Sequence, residues 1–184
     1  HVAAQVEQVR VNRAADIAHR RTAITGVNEF PNLTEPPLPP IPSSAAVQRY
    51  AAGFEALRDR SDAFLERSGS RPRVLLLPLG PLAEHNIRAT FAANLLASGG
   101  IEAVNPGTVA APDIARALGE AAATIAVICG TDARYGSDVA GVVEAARAAG
   151  ADQIYLAGPE KAVADLPADA RPDGYLTAKI DAVE

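Results

Sequence analysis

Val74-Leu75-Leu76-Leu77-Pro78-Leu79-Gly80-Pro81-Leu82-Ala83-Glu84-His85-Asn86-Ile87-Arg88 is the stretch from which the fold can be read. Val74 to Leu77 are consecutive apolar residues with no polar face, as in a strand that helices cover on both sides. A polar turn follows, then an Ala-rich pattern of helical spacing near 86–98. Strand, loop and helix in that order put the loop at the carboxyl end of a strand, where open α/β sheets bind ligands. His85 is the side chain there with metal-ligating and acid–base chemistry. Two positions before it stands Ala83 rather than an acid, and three after it stands Arg88.

The same alternation runs to the end of the chain. Strands are predicted at Val74–Leu77, Ile101–Val104, Ile125–Ile128, Ile154–Leu156 and Tyr175–Leu176, with helices near 86–98, 112–122, 137–149 and 160–165 and another starting at Thr177. Gly99-Gly100 and Gly150 stand just before strands, where helix C-terminal caps belong. Right-handed crossovers make this an α/β fold, a doubly wound, flavodoxin-like, five-stranded parallel sheet.

Upstream, residues 1–21 carry Val2, Val6, Val9, Ala14, Ile17 and Ala18 at three- and four-residue spacings, an amphipathic helix. Residues 22–70 form a connector and linker helix. Pro31, Pro36, Pro37, Pro39, Pro40 and Pro42 impose an extended course up to Ser44. Ile24, Val27, Phe30, Leu33, Leu38 and Ile41 make that course too apolar for a free linker. Ser43 or Ser44 caps a second helix running to about Arg67, with Val47, Tyr50, Phe54, Leu57 and Leu65 on its apolar side. Residues 71–184 are the sheet domain.

Composition bounds the function. The chain has 184 residues, 48% hydrophobic and 21% charged, the balance of a globular domain. A net charge of -5 argues against sequence-independent nucleic-acid binding, which needs basic surface. No apolar run approaches the ~20 residues that span a bilayer. Cys129 is the only cysteine, so no internal disulfide forms and a reducing, cytoplasmic setting is expected. With no methionine, a start inside a helical pattern and an end on Asp181-Ala182-Val183-Glu184, the chain reads as a fragment of a longer polypeptide.

Three strand-end loops could line a ligand site: 78–88, Cys129-Gly130-Thr131-Asp132-Ala133-Arg134-Tyr135-Gly136, and Ala157-Gly158-Pro159-Glu160. Each also has an ordinary structural explanation. His85 fits a surface or helix-start histidine, Asp132 beside Arg134 a solvated ion pair, Cys129 an inert core residue and Gly158 a turn. G-x-G-x-x-G, G-x-x-x-x-G-K, G-x-S-x-G and H-E-x-x-H are all absent from the sequence. The first strand ends without the carboxylate that a magnesium-dependent receiver domain needs.

A histidine-bearing loop after the first strand of a doubly wound sheet resembles the cobalamin-binding domain of adenosylcobalamin-dependent mutases. Arg20-Arg21-Thr22-Ala23-Ile24-Thr25-Gly26-Val27-Asn28-Glu29-Phe30 is similar to the segment that leaves the catalytic barrel in the methylmalonyl-CoA mutase family, so residues 1–21 would end that barrel. In cobalamin-binding members the loop reads D-x-H-x-x-G: the histidine ligates cobalt, the aspartate holds its other nitrogen, and the glycine makes room for the nucleotide tail. By resemblance His85 keeps the ligand position, while Ala83 and Arg88 replace the aspartate and the glycine. Thr131 falls in the family's serine-bearing loop and Gly158 in its paired glycines. The departures share one cavity. The resemblance thus implies a degenerate domain of the small, non-catalytic subunit, with these five as vestigial positions. Adenosylcobalamin would sit on the large catalytic subunit, its heterodimer partner, for methylmalonyl-CoA/succinyl-CoA isomerisation. No metal, nucleic acid or membrane is expected on this chain. The alternative is a working cobalamin domain with His85 on cobalt.

Overall fold

The computed structural model describes residues 2–36 and 49–183. The apolar runs become five parallel strands: β1 (Arg73–Pro78), β2 (Glu102–Val104), β3 (Ile125–Cys129), β4 (Gln153–Leu156) and β5 (Gly174–Tyr175), in the order β2-β1-β3-β4-β5. The order reverses at β1: the chain goes outward to β2, then returns past β1 to β3. Right-handed connections therefore put α3 (Leu82–Ser98) on one face and α4 (Ile114–Ala121) and α5 (Asp132–Ala148) on the other. The crevice of such a fold opens between the carboxyl ends of β1 and β3.

Strand side chains alternate between the faces, so each apolar run feeds two cores. Leu75, Leu77, Ile128, Ile154 and Leu156 pack with Ile114 and Leu118 of α4 and Tyr135, Val139 and Val143 of α5. Val74, Leu76, Val127, Cys129 and Ala157 pack beneath Ala89 and Ala92 of α3. Gly100 and Gly150 adopt left-handed φ of 83° and 88°, ending α3 and α5 where a side chain would be strained.

Helix starts differ from the sequence expectation. α3 begins at Leu82 and α5 at Asp132, each several residues earlier than the spacing predicts. The stretch expected as a helix at 160–165 is a single 3-10 turn, Glu160–Val163. Instead of a helix from Thr177, a turn closes through the Ile180 amide onto the Thr177 carbonyl, and Ala182 N–H then donates to Ala18. The linker helix α2 runs Ala52–Ser68. The caps Ser43 and Ser44, the residues Leu38, Ile41 and Val47, and Pro37 to Pro42 lie outside the described residues.

The first helix, α1 (Val2–Ala18), forms as expected, but Val2, Val6 and Val9 are exposed and of its residues only Ile17 is buried. The segment after it is a compact turn rather than an extended course. Asn28, fully buried, donates through Nδ2 to the carbonyls of Ile17 and Thr22, and its Oδ1 accepts from Ile24 N–H. Phe30, expected to pack, is 69% exposed. Asn28→Ala leaves three backbone groups without their partner, at a cost of roughly 1–3 kcal/mol for a buried group so orphaned. A drop of that size in urea-denaturation stability, with an unchanged denaturant slope, is the expected result.

Candidate functional site

The early start of α3 decides what His85 can do. In the first turn of a helix, residues two apart point in different directions. Ala83 is turned to solvent, while His85 is turned inward and is only 5% exposed. Its Nδ1 lies 3.1 Å from the Gly80 carbonyl oxygen, and since that oxygen can only accept, Nδ1 carries the hydrogen. The same oxygen accepts from Thr108 Oγ1 at 2.8 Å. Gly80 itself has φ of 70°, and a Cβ there would meet the Arg134 guanidinium at 2.8 Å. The loop after β1 is thus a closed turn, with the histidine folded back onto it.

Arg88, one helical turn beyond His85, spans the crevice. Nη1 donates to the Ala157 carbonyl at 2.8 Å and Nη2 to Asp132 Oδ1 at 3.0 Å. Its guanidinium carbon stands 5.9 Å from the centre of the Tyr135 ring, within reach of a cation–π attraction. The Tyr135 hydroxyl donates to the same Ala157 carbonyl at 2.8 Å and accepts from Gly130 N–H at 2.9 Å. Tyr135 is fully buried. A Cβ on Gly158 would lie 2.7 Å from Arg88 Nη1 and 2.8 Å from Tyr135 Cε2, so only glycine fits there without displacing them.

The expected pairing of Asp132 with Arg134 is not made. Asp132 pairs with Arg88, and Arg134 reaches back to Glu84 of α3 and along its own helix to Asp138. The reason is helical: with α5 beginning at Asp132, residues 132 and 134 diverge. The hydrogen bond from Arg134 holds the Glu84 carboxyl below the ordinary carboxylate range. Thr131 caps α5, its Oγ1 accepting from Arg134 N–H at 3.3 Å.

The structure therefore brings Arg88 and Gly158 together, with Thr131 beside them in sequence to Asp132; His85 sits under the Gly80 turn and Ala83 stands apart. Thr108 lies outside the three candidate loops, and Tyr135, inside the loop 129–136, was not singled out. Tyr135 carried a readable signal, the spacing Tyr135-Val139-Val143-Ala146 of an inward helix face. Among the described residues no group of three or more His, Cys, Asp or Glu could hold a metal ion.

Cys129 is fully buried, and burial pushes its thiol from an ordinary 9.0 up to about 12. Burial likewise raises the Tyr135 phenol well above its usual 10.0. Both groups stay protonated in the folded chain while the unfolded chain ionises, so stability is full below pH 9 and falls as pH rises toward about 12. The limiting slope is about 1.4 kcal/mol per pH unit for each group. Cys129→Ala is expected to flatten the alkaline limb of a stability–pH curve. Gly158→Ala crowds Arg88 and Tyr135 and is expected to cost about 1–3 kcal/mol in denaturation experiments, the usual toll of overpacking.

No protein-family model matches the chain. The protein named "Probable methylmalonyl-CoA mutase small subunit" of Mycobacterium tuberculosis (strain ATCC 25618 / H37Rv) is 65% identical over 184 residues, all of this chain and 30% of that protein. The methylmalonyl-CoA mutase small subunit of Streptomyces virginiae is 44% identical over 179 residues, 93% of this chain and 28% of its own length. That of Propionibacterium freudenreichii subsp. shermanii is 32% identical over 195 residues, covering 100% of this chain and 30% of its own length. The chain thus spans about 30% of the length of the curated relatives it matches. A doubly wound sheet and 65% identity in an alignment that covers the whole chain make it a homologue of one segment of the methylmalonyl-CoA mutase small subunits.

Proposed function

We propose that the chain is a structural and pairing part of the small subunit of an adenosylcobalamin-dependent methylmalonyl-CoA mutase, carrying no cobalamin itself. The complete enzyme would interconvert methylmalonyl-CoA and succinyl-CoA in the cytoplasm, with the cofactor on a large catalytic subunit. Residues 1–21 would close the preceding barrel, residues 22–70 connect and residues 71–184 form the cobalamin-binding-like domain.

The observation that carries the proposal is the occupied crevice. In cobalamin-binding relatives this region needs a presented histidine, a carboxylate behind it and an empty slot. Here His85 is 5% exposed with Nδ1 bonded to Gly80, and Ala83 faces solvent. The slot holds the Arg88 guanidinium against Ala157 and the Tyr135 ring. These residues do not fit the cofactor. Loss of the carboxylate alone weakens a metal–histidine bond about 10- to 100-fold; Arg88 adds a steric and charge barrier. A helix long and apolar enough to cross a membrane is absent among the described residues.

Full-length protein titrated with adenosylcobalamin should leave the cofactor's absorption spectrum unchanged. The same titration in the presence of the large subunit should show cofactor bound in proportion to that subunit, which should copurify. A histidine-ligated spectrum from the small subunit alone, abolished by His85→Ala, would establish the alternative in which His85 ligates cobalt.

A further inference from the structure

The crevice is filled, and Ala157, which the filling arginine bonds, also packs against the chain's single thiol. Cys129 ends β3 on the α3 face, packed with Ala89, Ala92 and Ala157. Its Sγ–H points back to the Val127 carbonyl at 3.6 Å. Arg88 is the charge that acts on this sulfur, opposing the stronger effect of burial. Its packing neighbour Ala157 takes, on its carbonyl, the bond of the Arg88 guanidinium and that of the fully buried Tyr135 from the other face of the sheet. Arg88 joins three partners on two other elements: Ala157 after β4, and Asp132 and Tyr135 on α5. Its side chain nonetheless remains 32% exposed.

The geometry points to a clasp: Arg88 is a resident occupant of the strand-end crevice, held by Ala157, Asp132 and Tyr135, and its release opens a local path to Cys129 without unfolding of the sheet. The clasp rests on the proposed absence of cofactor from this domain only in that a ligand entering here would first have to displace the arginine. Local openings of this kind involve one end of an element and expose little surface. They are therefore insensitive to low denaturant, whereas global unfolding follows the full denaturant slope. When reclosure is fast, the labelling rate of a buried thiol tracks the population of the open form.

Cys129 thus reports on the clasp. The test is the rate at which a small maleimide labels Cys129 in the full-length protein, read at that residue by mass spectrometry, in native buffer and in sub-denaturing urea. Arg88→Ala is expected to raise the rate at least ~10-fold, the equivalent of 1.4 kcal/mol in the opening equilibrium, with little urea dependence. Arg88→Lys, which keeps the charge but loses the fork, should fall between. Arg147→Ala serves as the control. It removes the bonds of Arg147 to Asp173 and Arg171 at the far end of α5 and should leave the rate within about twofold of the parent.

An unchanged rate in Arg88→Ala overturns the clasp. So does an increase that carries the full urea slope, or one that Arg147→Ala reproduces. None of these results bears on cofactor binding, which the cobalamin titration decides separately. A chain that binds cobalamin yet labels faster in Arg88→Ala would sink the proposed function and leave the clasp standing.

Discussion

The carbonyl oxygen of Ala157 accepts from two helices on opposite faces of the sheet: Arg88 Nη1 of α3 and the Tyr135 hydroxyl of α5. Ala157 is fully buried, so both of its acceptor positions must be filled from within the chain. This one oxygen fixes how far apart the two helices stand at the strand ends. The rest of the crevice follows: Gly158 must lack a side chain, Asp132 comes within reach of Arg88, and Gly130 donates to the phenol. The ion pair of Arg88 with Asp132 is the weaker component, since pairs this exposed contribute about 0–1 kcal/mol. A charged donor on a buried acceptor is worth about 1.5–3 kcal/mol, and the carbonyl bond therefore dominates.

The sheet was legible because its strands are apolar on both faces, as in a helix-covered parallel sheet, and alternate with helical patterns. β1, β3 and β4 fall where the runs Val74–Leu77, Ile125–Ile128 and Ile154–Leu156 stand. Helix beginnings were harder. Pro81 precedes α3 with no side-chain cap, and the first turn is held instead by His85 on Gly80 and by Glu84 on Arg134, contacts that local sequence does not advertise. α5 did advertise its start, through Thr131 followed by an acidic Asp132, a common N-terminal pairing.

Site residues divide by the distance over which they act. The resemblance located Ala83, His85 and Arg88 from six consecutive positions, 83–88. It read Arg88 as bulk in place of a glycine. That Arg88 instead makes specific bonds depends on a carbonyl 69 residues away and a carboxylate 44 away. Such partners exist only once the strands are in register. Asn28 shows the same limit at shorter range: it resembles part of a family segment in sequence, and in space it is the post around which residues 17–28 turn.

The helical first turn of α3 also keeps positions 83 and 85 apart. Position 83 faces solvent and position 85 faces the core. An aspartate placed at 83 would thus set a carboxylate in water, on the wrong side of the helix to serve the histidine. For the two to meet, that turn would have to unwind, with Gly80 freed from the imidazole. The winding of one helical turn therefore acts as a lock on chemistry: two residues at the right spacing along the chain are kept from ever forming a pair.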